Sequence, residues 1–331
     1  MMWFEELTGF KEDTVQQVRK NISVDGEILI SHVNGKEIAC GRLETPSLGN
    51  LRQRLLSSEY QSGKISVREV IGNVQHLHAD SSNAGSLFQV ASQFNLLEMA
   101  SPSVTPECGV GIYGHDHTQG PACAIAAGAG TIYRNYFAVV NEHVGQSANN
   151  QIDCLADIGD ALGNTNKQLW DMRNGYALAS EKGLVEISKH LESSCKSDID
   201  ELRALLRIGI QWNTEVTISV SKHKISQAYC SALPVAYSEI SPRLWERFSM
   251  LILEASYEAT ICAGILNYLT TGNKKLFLTL IGGGVFGNDI NWIVAAIQRA
   301  LNIYKDIGLD VVIVSYGSSN KHVQQLIDQF K

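Results

Sequence analysis

Three carboxylates, Glu98, Glu107 and Asp116, stand nine and nine residues apart in one stretch of the chain. Pro102, Pro106, Gly109, Gly111 and Gly114 lie between them and break regular structure, so the stretch reads as a loop. A loop this rich in functional groups is more than a connector. Anchored at both ends, it can turn all three acids toward one cavity. Grouped carboxylates accept the N–H groups of a forked cation such as a guanidinium. They also stabilise positive charge that develops in a transition state. One acid can act as base toward water while another manages a leaving group's proton, the division of labour of glycoside hydrolysis. Three solvated loop acids without a common target are the plain alternative.

A second set of residues fits a phosphate. Gly282, Gly283, Gly284, Val285, Phe286 and Gly287 form G-x-G-x-x-G between an apolar run and a helical pattern. Glycines there let backbone N–H groups close on a phosphate, and the helix N-terminus adds a favourable dipole. A tight structural turn is the other reading. A dinucleotide fold opens with this motif and places an acid at the end of the next strand. Here the motif comes late, and the next strand pattern closes on Val314, Ser315, Tyr316 and Gly317, with no acid. Tyr316 offers a flat ring on which a nucleobase can stack. Thr118, Gln119 and Gly120 precede a helix start, where they can meet a phosphate or ribose or simply cap the helix.

Other groupings carry less. His76, His78 and Asp80 give an H-x-H pattern, and His115 and His117 flank Asp116. A metal centre needs about four convergent ligands, and no third cluster has a recognisable spacing, so no metal is expected. Cys108 lies in the acidic loop and Cys123 near a helix start, where a thiol's pKa falls. No Cys–His spacing accompanies them. Arg134, on the following helix, is placed to brace the carboxylate loop.

The elements that must position these groups follow from periodicity. Residues 27–41 read as a hairpin around Asn34-Gly35, a pair suited to a tight two-residue turn. A helix is predicted from Ser47 to Leu56, a buried strand within 85–95, and one helix from Pro121 to about Phe137. Residues 140–180 show no clear pattern. Helices are predicted at 183–193 and 197–208, strands at 214–220 and 225–230, and a long helix at 242–270. Strand 276–281, helix 289–305, strand 311–316 and helix 321–330 close the chain. Short joints between them imply parallel strands with right-handed crossovers. A single unit over 1–331 is expected, with an N-terminal extension at 1–80, a core at 81–331 and a helical insertion at about 140–210.

Composition narrows the class. The 331 residues are 44% hydrophobic and 18% charged, enough for a large core. A formal charge of -7 argues against general nucleic-acid binding, which needs Lys and Arg on phosphates. The 7 cysteines, odd in number and without C-x-x-C, fit free thiols in a reducing compartment. The opening Met1, Met2, Trp3, Phe4, Glu5 and Glu6 lack the basic start of a signal peptide, and a cytoplasmic location is expected. The apolar stretch 250–270 holds Glu254 and Glu258, so it reads as a buried helix and no membrane partner is expected.

IGGGVFGN at 281–288, followed by VVIVSYG at 311–317, resembles the closing part of macrodomains. That resemblance implies a loop of Gly283, Gly284, Val285, Phe286, Gly287 and Asn288 around the diphosphate of ADP-ribose, with Tyr316 facing adenine. LFQVASQFN at 87–95 is similar to the macrodomain strand that ends in an asparagine, here Asn95, beside the distal ribose. More narrowly, residues 94–137 and QAYCSALPVAYS at 227–238 resemble the arginine-specific ADP-ribosyl hydrolase branch. Its acidic catalytic positions correspond to Glu98, Glu107 and Asp116. The resemblance implies a macrodomain-like three-layer α/β/α fold with a mixed, mostly parallel sheet. It implies hydrolysis of the N-glycosidic bond between mono-ADP-ribose and a protein arginine, without a cofactor. The partner would be an arginine-ADP-ribosylated protein, ubiquitin being one that the resemblance brings in. Asp116 and Glu107 would do the chemistry and Glu98 would hold the guanidinium. A non-catalytic ADP-ribose reader with the same loop is the alternative, with a metal-dependent hydrolase behind it. Two departures stand out: Gly72-Asn73-Val74 replaces the macrodomain Gly-Asp-Ile, and the Gln-Glu-Glu signature of poly(ADP-ribose) glycohydrolases is absent.

Overall fold

The computed structural model describes residues 2–59 and 62–331. Its central elements, in chain order, begin with strand β1 (Arg42–Glu44), helix α1 (Leu48–Leu56), β2 (Ser66–Ile71), α2 (Val74–Ala79) and β3 (Leu87–Ala91). Helices α3 (Gln119–Ala126), α4 (Gly128–Tyr136), α5 (Glu181–Ser193) and α6 (Lys196–Leu205) follow. The chain then gives β4 (Gly209–Glu215), β5 (Lys224–Cys230), α7 (Pro242–Thr271), β6 (Lys275–Leu278), α8 (Ile290–Ile303), β7 (Asp310–Ser315) and α9 (Lys321–Asp328). Seven strands pair in the order β1-β4-β5-β3-β6-β7-β2. The run from β5 to β2 is parallel, and β4 is antiparallel to both its neighbours.

Alternation along β3 shows how the layers form. Phe88 stacks on His78 of α2, with ring centroids 3.8 Å apart. The next residue, Gln89, donates from Nε2 to Thr260 of α7 at 3.0 Å. Successive strand side chains point to opposite faces, so α2 covers one face and α7 the other. Tyr229 of β5 meets Arg134 of α4, while Cys230 reaches Thr260 of α7. The fold is therefore the three-layer α/β/α arrangement with a mixed, mostly parallel sheet that the sequence predicts. Helix α7 is long and apolar enough to cross a bilayer, but most of its apolar stretch is buried inside the protein, as a core helix is. Among the described residues all cysteines are unpaired.

Several local expectations change. The hairpin forms between Ile28–Ser31 and Glu37–Ala39. Its loop has four residues, because Gly35 N donates to Ser31 O and Ser31 N to Lys36 O, each at 3.0 Å. Only Gly35 of the Asn-Gly pair has a positive φ, 69°. The helix expected from Pro121 starts at Gln119 and breaks at Ala127. There Gly128 N donates to Thr217 Oγ1 at 3.0 Å, outside the helical ladder. The strand predicted at 214–220 lies at 209–215, where Ile210, Gln211 and Trp212 pair with β1. The 140–210 insertion is only partly helical. It contains the hairpins 139–144 and 170–179 as well as Ala156–Ala161, α5 and α6. Residues 1–80 do more than extend the fold, since they supply both edge strands of the main sheet, β1 and β2. Their first part packs Phe4, Val18, Ile22 and Leu29 against Ile132 and Tyr136 of α4, forming a second core.

One buried charge anchors the α7 side. The Glu258 side chain is 1% exposed. It accepts from Arg52 Nε at 2.6 Å and Nη2 at 2.9 Å, and from Arg299 Nη1 at 2.6 Å. Arg52 and Arg299 also donate to Asp200 and keep that partner when Glu258 is removed, so the loss is that of the buried hydrogen bonds and not of all charge compensation. Glu258→Ala should therefore lower the unfolding free energy by about 1–3 kcal/mol. A urea titration reads this directly, and an unchanged midpoint would show the network contributes nothing.

Candidate active site

In a parallel sheet the C-terminal strand ends face the same way, and the loops that leave them enclose a crevice. Here the loops after β2, β3, β6 and β7 do so. A wide lobe of about 1070 Å³ is lined by Asn73, Gln75, Asp116, Gly283, Ser315 and Tyr316, among others. A narrow lobe of about 180 Å³ is lined by Gln93, Glu98, Gly120, Gly282 and Phe286, among others. Thr118, Gln119, Thr279, Leu280 and Gly284 border both, so the two lobes form one cleft. Among the described residues lining it there is no Lys or Arg.

The glycine loop forms one wall. Gly282 and Gly287 take φ of 75° and 70°, the left-handed region that favours glycine. Asn288 N donates to Gly282 O at 2.9 Å and Gly287 N to Gly284 O at 3.0 Å, closing the turn on itself. Gly283, Gly284, Val285 and Phe286 face the cleft. Gly287 and Asn288 do not, contrary to expectation. A Cβ on Gly287 would meet Ala236 at 2.7 Å, and buried Asn288 donates from Nδ2 to Leu233 O at 2.8 Å. These two shape the loop and leave the contact surface to the other four. Tyr316, 85% exposed, stands over the wide lobe. Phe286 packs on Tyr176 and Tyr237, with centroids 5.4 and 5.5 Å away.

The three acids separate. Glu98 is 5% exposed, lines the narrow lobe, and has no partner on Oε1. Its backbone N donates to Tyr113 Oη at 2.9 Å. Burial pushes its carboxyl well above the ordinary range, Arg134 pulls it back, and Asp116 adds to the rise. Asp116 is half-buried, lines the wide lobe, and accepts from Thr118 N at 2.8 Å. Glu107 is exposed and borders neither lobe. Its Oε1 accepts from Ala148 N at 2.8 Å. Burial would raise its carboxyl, but the donors of Ala148 and Thr105 hold it below the ordinary range. Equal spacing in sequence therefore brings two acids to the cleft and turns the third away, bonded to Ala148 of a neighbouring loop.

Asn95 is also displaced from its expected place. It is fully buried, donates from Nδ2 to Gln151 Oε1 at 2.8 Å and accepts from Leu97 N at 3.1 Å. Ser92 and Gln93, three and two residues earlier, line the narrow lobe instead. Their signal was position: they come directly after β3, before the chain turns away. Gln119 lines the cleft, but its side chain extends the sheet by accepting from Ala91 N at 2.9 Å and donating to Gln89 O at 3.0 Å. Gly120 leaves room for the Glu98 carboxylate, which crowds the place of a Cβ. Gln75, Thr279 and Asn320 also line the wide lobe, and no motif marks them in the sequence. Gly72-Asn73-Val74 follows β2, with Asn73 Oδ1 accepting from Gln75 N at 2.8 Å at the start of α2.

Of the remaining candidates His117 lines the wide lobe, and the other histidine and cysteine candidates border neither lobe. His76 and His78 lie on a helix, where alternate residues diverge. His78 is buried, its pKa pushed down to about 4 by burial, and its Nδ1 lies 2.8 Å from the Val74 carbonyl. Burial drives the Cys123 thiol far up, the opposite of what a nucleophile needs. Cys108 is exposed and borders neither lobe.

No protein-family model matches this sequence, and no curated protein matches it. Solved structures do. The poly(ADP-ribose) glycohydrolase of Thermomonospora curvata is 11% identical with a TM-score of 0.45, covering 96% of each chain. The Deinococcus radiodurans enzyme in complex with ADP-ribose is 10% identical with a TM-score of 0.47, covering 97% of this chain and 100% of that one. The Thermomonospora enzyme bound to the inhibitor ADP-HPD is 11% identical with a TM-score of 0.44, covering 95% of this chain and 96% of that one. This corrects the narrower sequence resemblance. These solved structures are poly(ADP-ribose) glycohydrolases, not arginine-specific hydrolases.

The loop that carries Tyr316 hangs on Glu69 of β2. Ser315 Oγ (2.5 Å), Ser319 Oγ (2.6 Å), Asn320 N (2.8 Å) and Gln324 Nε2 (2.5 Å) all donate to its carboxylate. Burial acts to raise this carboxyl, but the four donors dominate and hold it at about 2. A depressed folded pKa means the stabilisation is complete above the ordinary value of 4.5 and fades as pH falls toward 2. Relative to the intrinsic rate at each pH, amide protection at 316–320 should fall over that window, and Glu69→Ala should give the low protection already at neutral pH. Exchange that ignores both changes would show that Glu69 does not hold the loop.

Proposed function

We propose that this protein is an ADP-ribose glycosidic hydrolase that cleaves the bond on the distal ribose. The observation that carries the reading is the placement of Glu98 and Asp116 in the cleft that the glycine loop borders. Adenine lies in the wide lobe against Tyr316, the diphosphate runs along Gly283, Gly284, Val285 and Phe286, and the distal ribose enters the narrow lobe. With no Lys or Arg lining the cleft, the diphosphate is met by backbone N–H groups and by the N-terminal ends of α3 and α8.

The chemistry follows from the two environments. Glu98, buried and holding its proton, presents a hydrogen-bond donor to the departing group. Asp116, more open and preorganised by Thr118 N, takes a proton from water as its oxygen bonds to the anomeric carbon. The bond from that carbon to the leaving group breaks, giving ADP-ribose and the free side chain. Negative charge nearby stabilises the oxocarbenium-like transition state. Among leaving groups we favour the guanidinium of arginine. A cleft that presents the Asp116 carboxylate, with no Lys or Arg among the described residues lining it and the Phe286 ring at its edge, accommodates a forked cation. Glu107, outside the cleft, has no part in these steps. A reader that binds ADP-ribose without cleaving it shares the glycine loop and differs only in what the acids do.

Arginine-, serine- and glutamate-linked ADP-ribosylated proteins should be offered separately, with released ADP-ribose measured by chromatography. Release from the arginine linkage is the expected result. Tight binding with no release from any linkage would leave the reader. Asp116→Asn should cut turnover by at least about a hundredfold while the Kd for ADP-ribose stays nearly constant.

Gly284 offers a separate test of the ligand pose. Nothing lies within 4 Å of a Cβ built there, so the fold tolerates alanine, yet the methyl projects into the space given to diphosphate. Gly284→Ala should leave the thermal midpoint in place and weaken ADP-ribose by about tenfold, roughly 1.4 kcal/mol. Undiminished binding by calorimetry would move the diphosphate elsewhere.

A further inference from the structure

Arg134 sits on α4 with 0% of its surface exposed. A guanidinium keeps its charge in any protein environment, and a buried charge normally requires a direct partner of opposite sign. Arg134 has none among the described residues. Nε donates to the Leu96 carbonyl at 3.1 Å and Nη2 to Thr131 Oγ1 at 3.0 Å. Its guanidinium carbon lies 3.7 Å from the centre of the Tyr229 ring, and Nη1 has no partner. Leu96, the residue it grips, has φ of 64°, a region a leucine rarely adopts. Two residues on comes Glu98, with its own Oε1 unpartnered. The fork of Arg134 thus holds the strained turn that delivers Glu98 to the narrow lobe.

We infer that Arg134, which borders neither lobe of the cleft, is a positioning residue that governs when Glu98 carries its proton. The groups facing Glu98 come from six elements. They are Arg134 from α4, Asp116 from the loop before α3, Cys123 from α3, Tyr113 from the turn at Gly111–His115, Tyr229 from β5 and Tyr176 from the 170–179 hairpin. Burial pushes the cysteine and the three tyrosines up, so they stay neutral. That leaves one cation and one anion among these described groups. Desolvation and Asp116 keep the proton on Glu98, and Arg134 opposes both. When Glu98 gives its proton to the departing side chain, the carboxylate left behind is stabilised by the buried guanidinium. Without Arg134 the proton would be held too tightly to transfer.

This consequence for turnover rests on the proposed hydrolysis, but the titration of Glu98 does not. Carboxyl carbons of labelled glutamate can be followed by NMR across pH, with Glu98→Gln identifying the Glu98 signal. In Arg134→Met the Glu98 midpoint should rise by about one pH unit or more, and Arg134→Lys should restore most of the change. The basic limb of kcat/KM should move by the same amount and in the same direction, while the Kd for ADP-ribose stays within about twofold. A Glu98 midpoint that does not move in folded Arg134→Met overturns the inference, as does a pH-independent fall in kcat alone. Should Arg134→Met fail to fold, the unaltered protein and Asp116→Asn decide together. A Glu98 that stays protonated beyond about pH 9 means burial prevails over the guanidinium, whereas ionisation below that value followed by a lower midpoint in Asp116→Asn supports the opposed pair. If no linkage is cleaved but Glu98 still answers to Arg134, the proposed function fails and this inference stands.

Discussion

Placing a carboxyl group where only 5% of its residue meets solvent is the costliest local feature of the cleft, and much of the nearby chain is arranged around it. β3 brings the backbone to the sheet edge at Ala91, and the turn through Leu96 then aims Glu98 into the narrow lobe. Tyr113 Oη catches the Glu98 N–H, so the turn cannot slide along the loop. Glycine at position 120 lets α3 begin beside the carboxylate, where any side chain would collide. Arg134 faces the same space from α4, its cation set over an aromatic ring rather than against a carboxylate. The parallel sheet makes this possible by opening several loops at one edge. It does not by itself explain why an acid is buried there.

The closing part of the chain was the most legible in sequence, and the reason is locality. In β6, α8, β7 and α9 each element shows its own period, and short joints between parallel strands leave one plausible order. Elsewhere the deciding contacts are remote. β4 falls five residues before its predicted start because its partner, β1, lies more than 160 positions upstream. The 170–179 hairpin depends on Asn164, whose Oδ1 accepts from Leu169 N at 2.9 Å and Trp170 N at 3.2 Å. No hydrophobic period announces such a brace. The break at Ala127 likewise depends on Thr217, far along the chain.

At the site, sequence gave residue type and order more faithfully than direction. Glu98 and Asp116 reach the cleft, whereas Glu107, equally spaced, bonds to Ala148 on a loop that had no readable pattern. The glycine motif was legible as a loop between strand and helix, but not in the division between wall and scaffold. Gly287 is filled from behind by Ala236, while Gly284 faces open space. Asn95 illustrates the same limit. A polar residue after a strand can face the ligand or tie down its own turn, and here Gln151 claims it.

The chain is acidic and no Lys or Arg is among the described residues lining its cleft, which at first sight disfavours a doubly negative ligand. Backbone dipoles remove the difficulty on the diphosphate side. Helix N-termini and free loop amides attract anions without adding a mobile cation. On the ribose side the same lack of basic groups becomes an advantage under the proposed reaction. A lysine or arginine there would repel a cationic leaving group and oppose the positive charge forming on the sugar. Arg134, the one buried Lys or Arg among the described residues, lies outside the cleft lining, where under the proposed reaction it acts on Glu98 and not on the substrate. Under the proposed reaction, separating the two ends of the cleft by backbone dipoles and carboxyl groups, rather than by opposite side-chain charges, lets one small crevice hold an anion and release a cation.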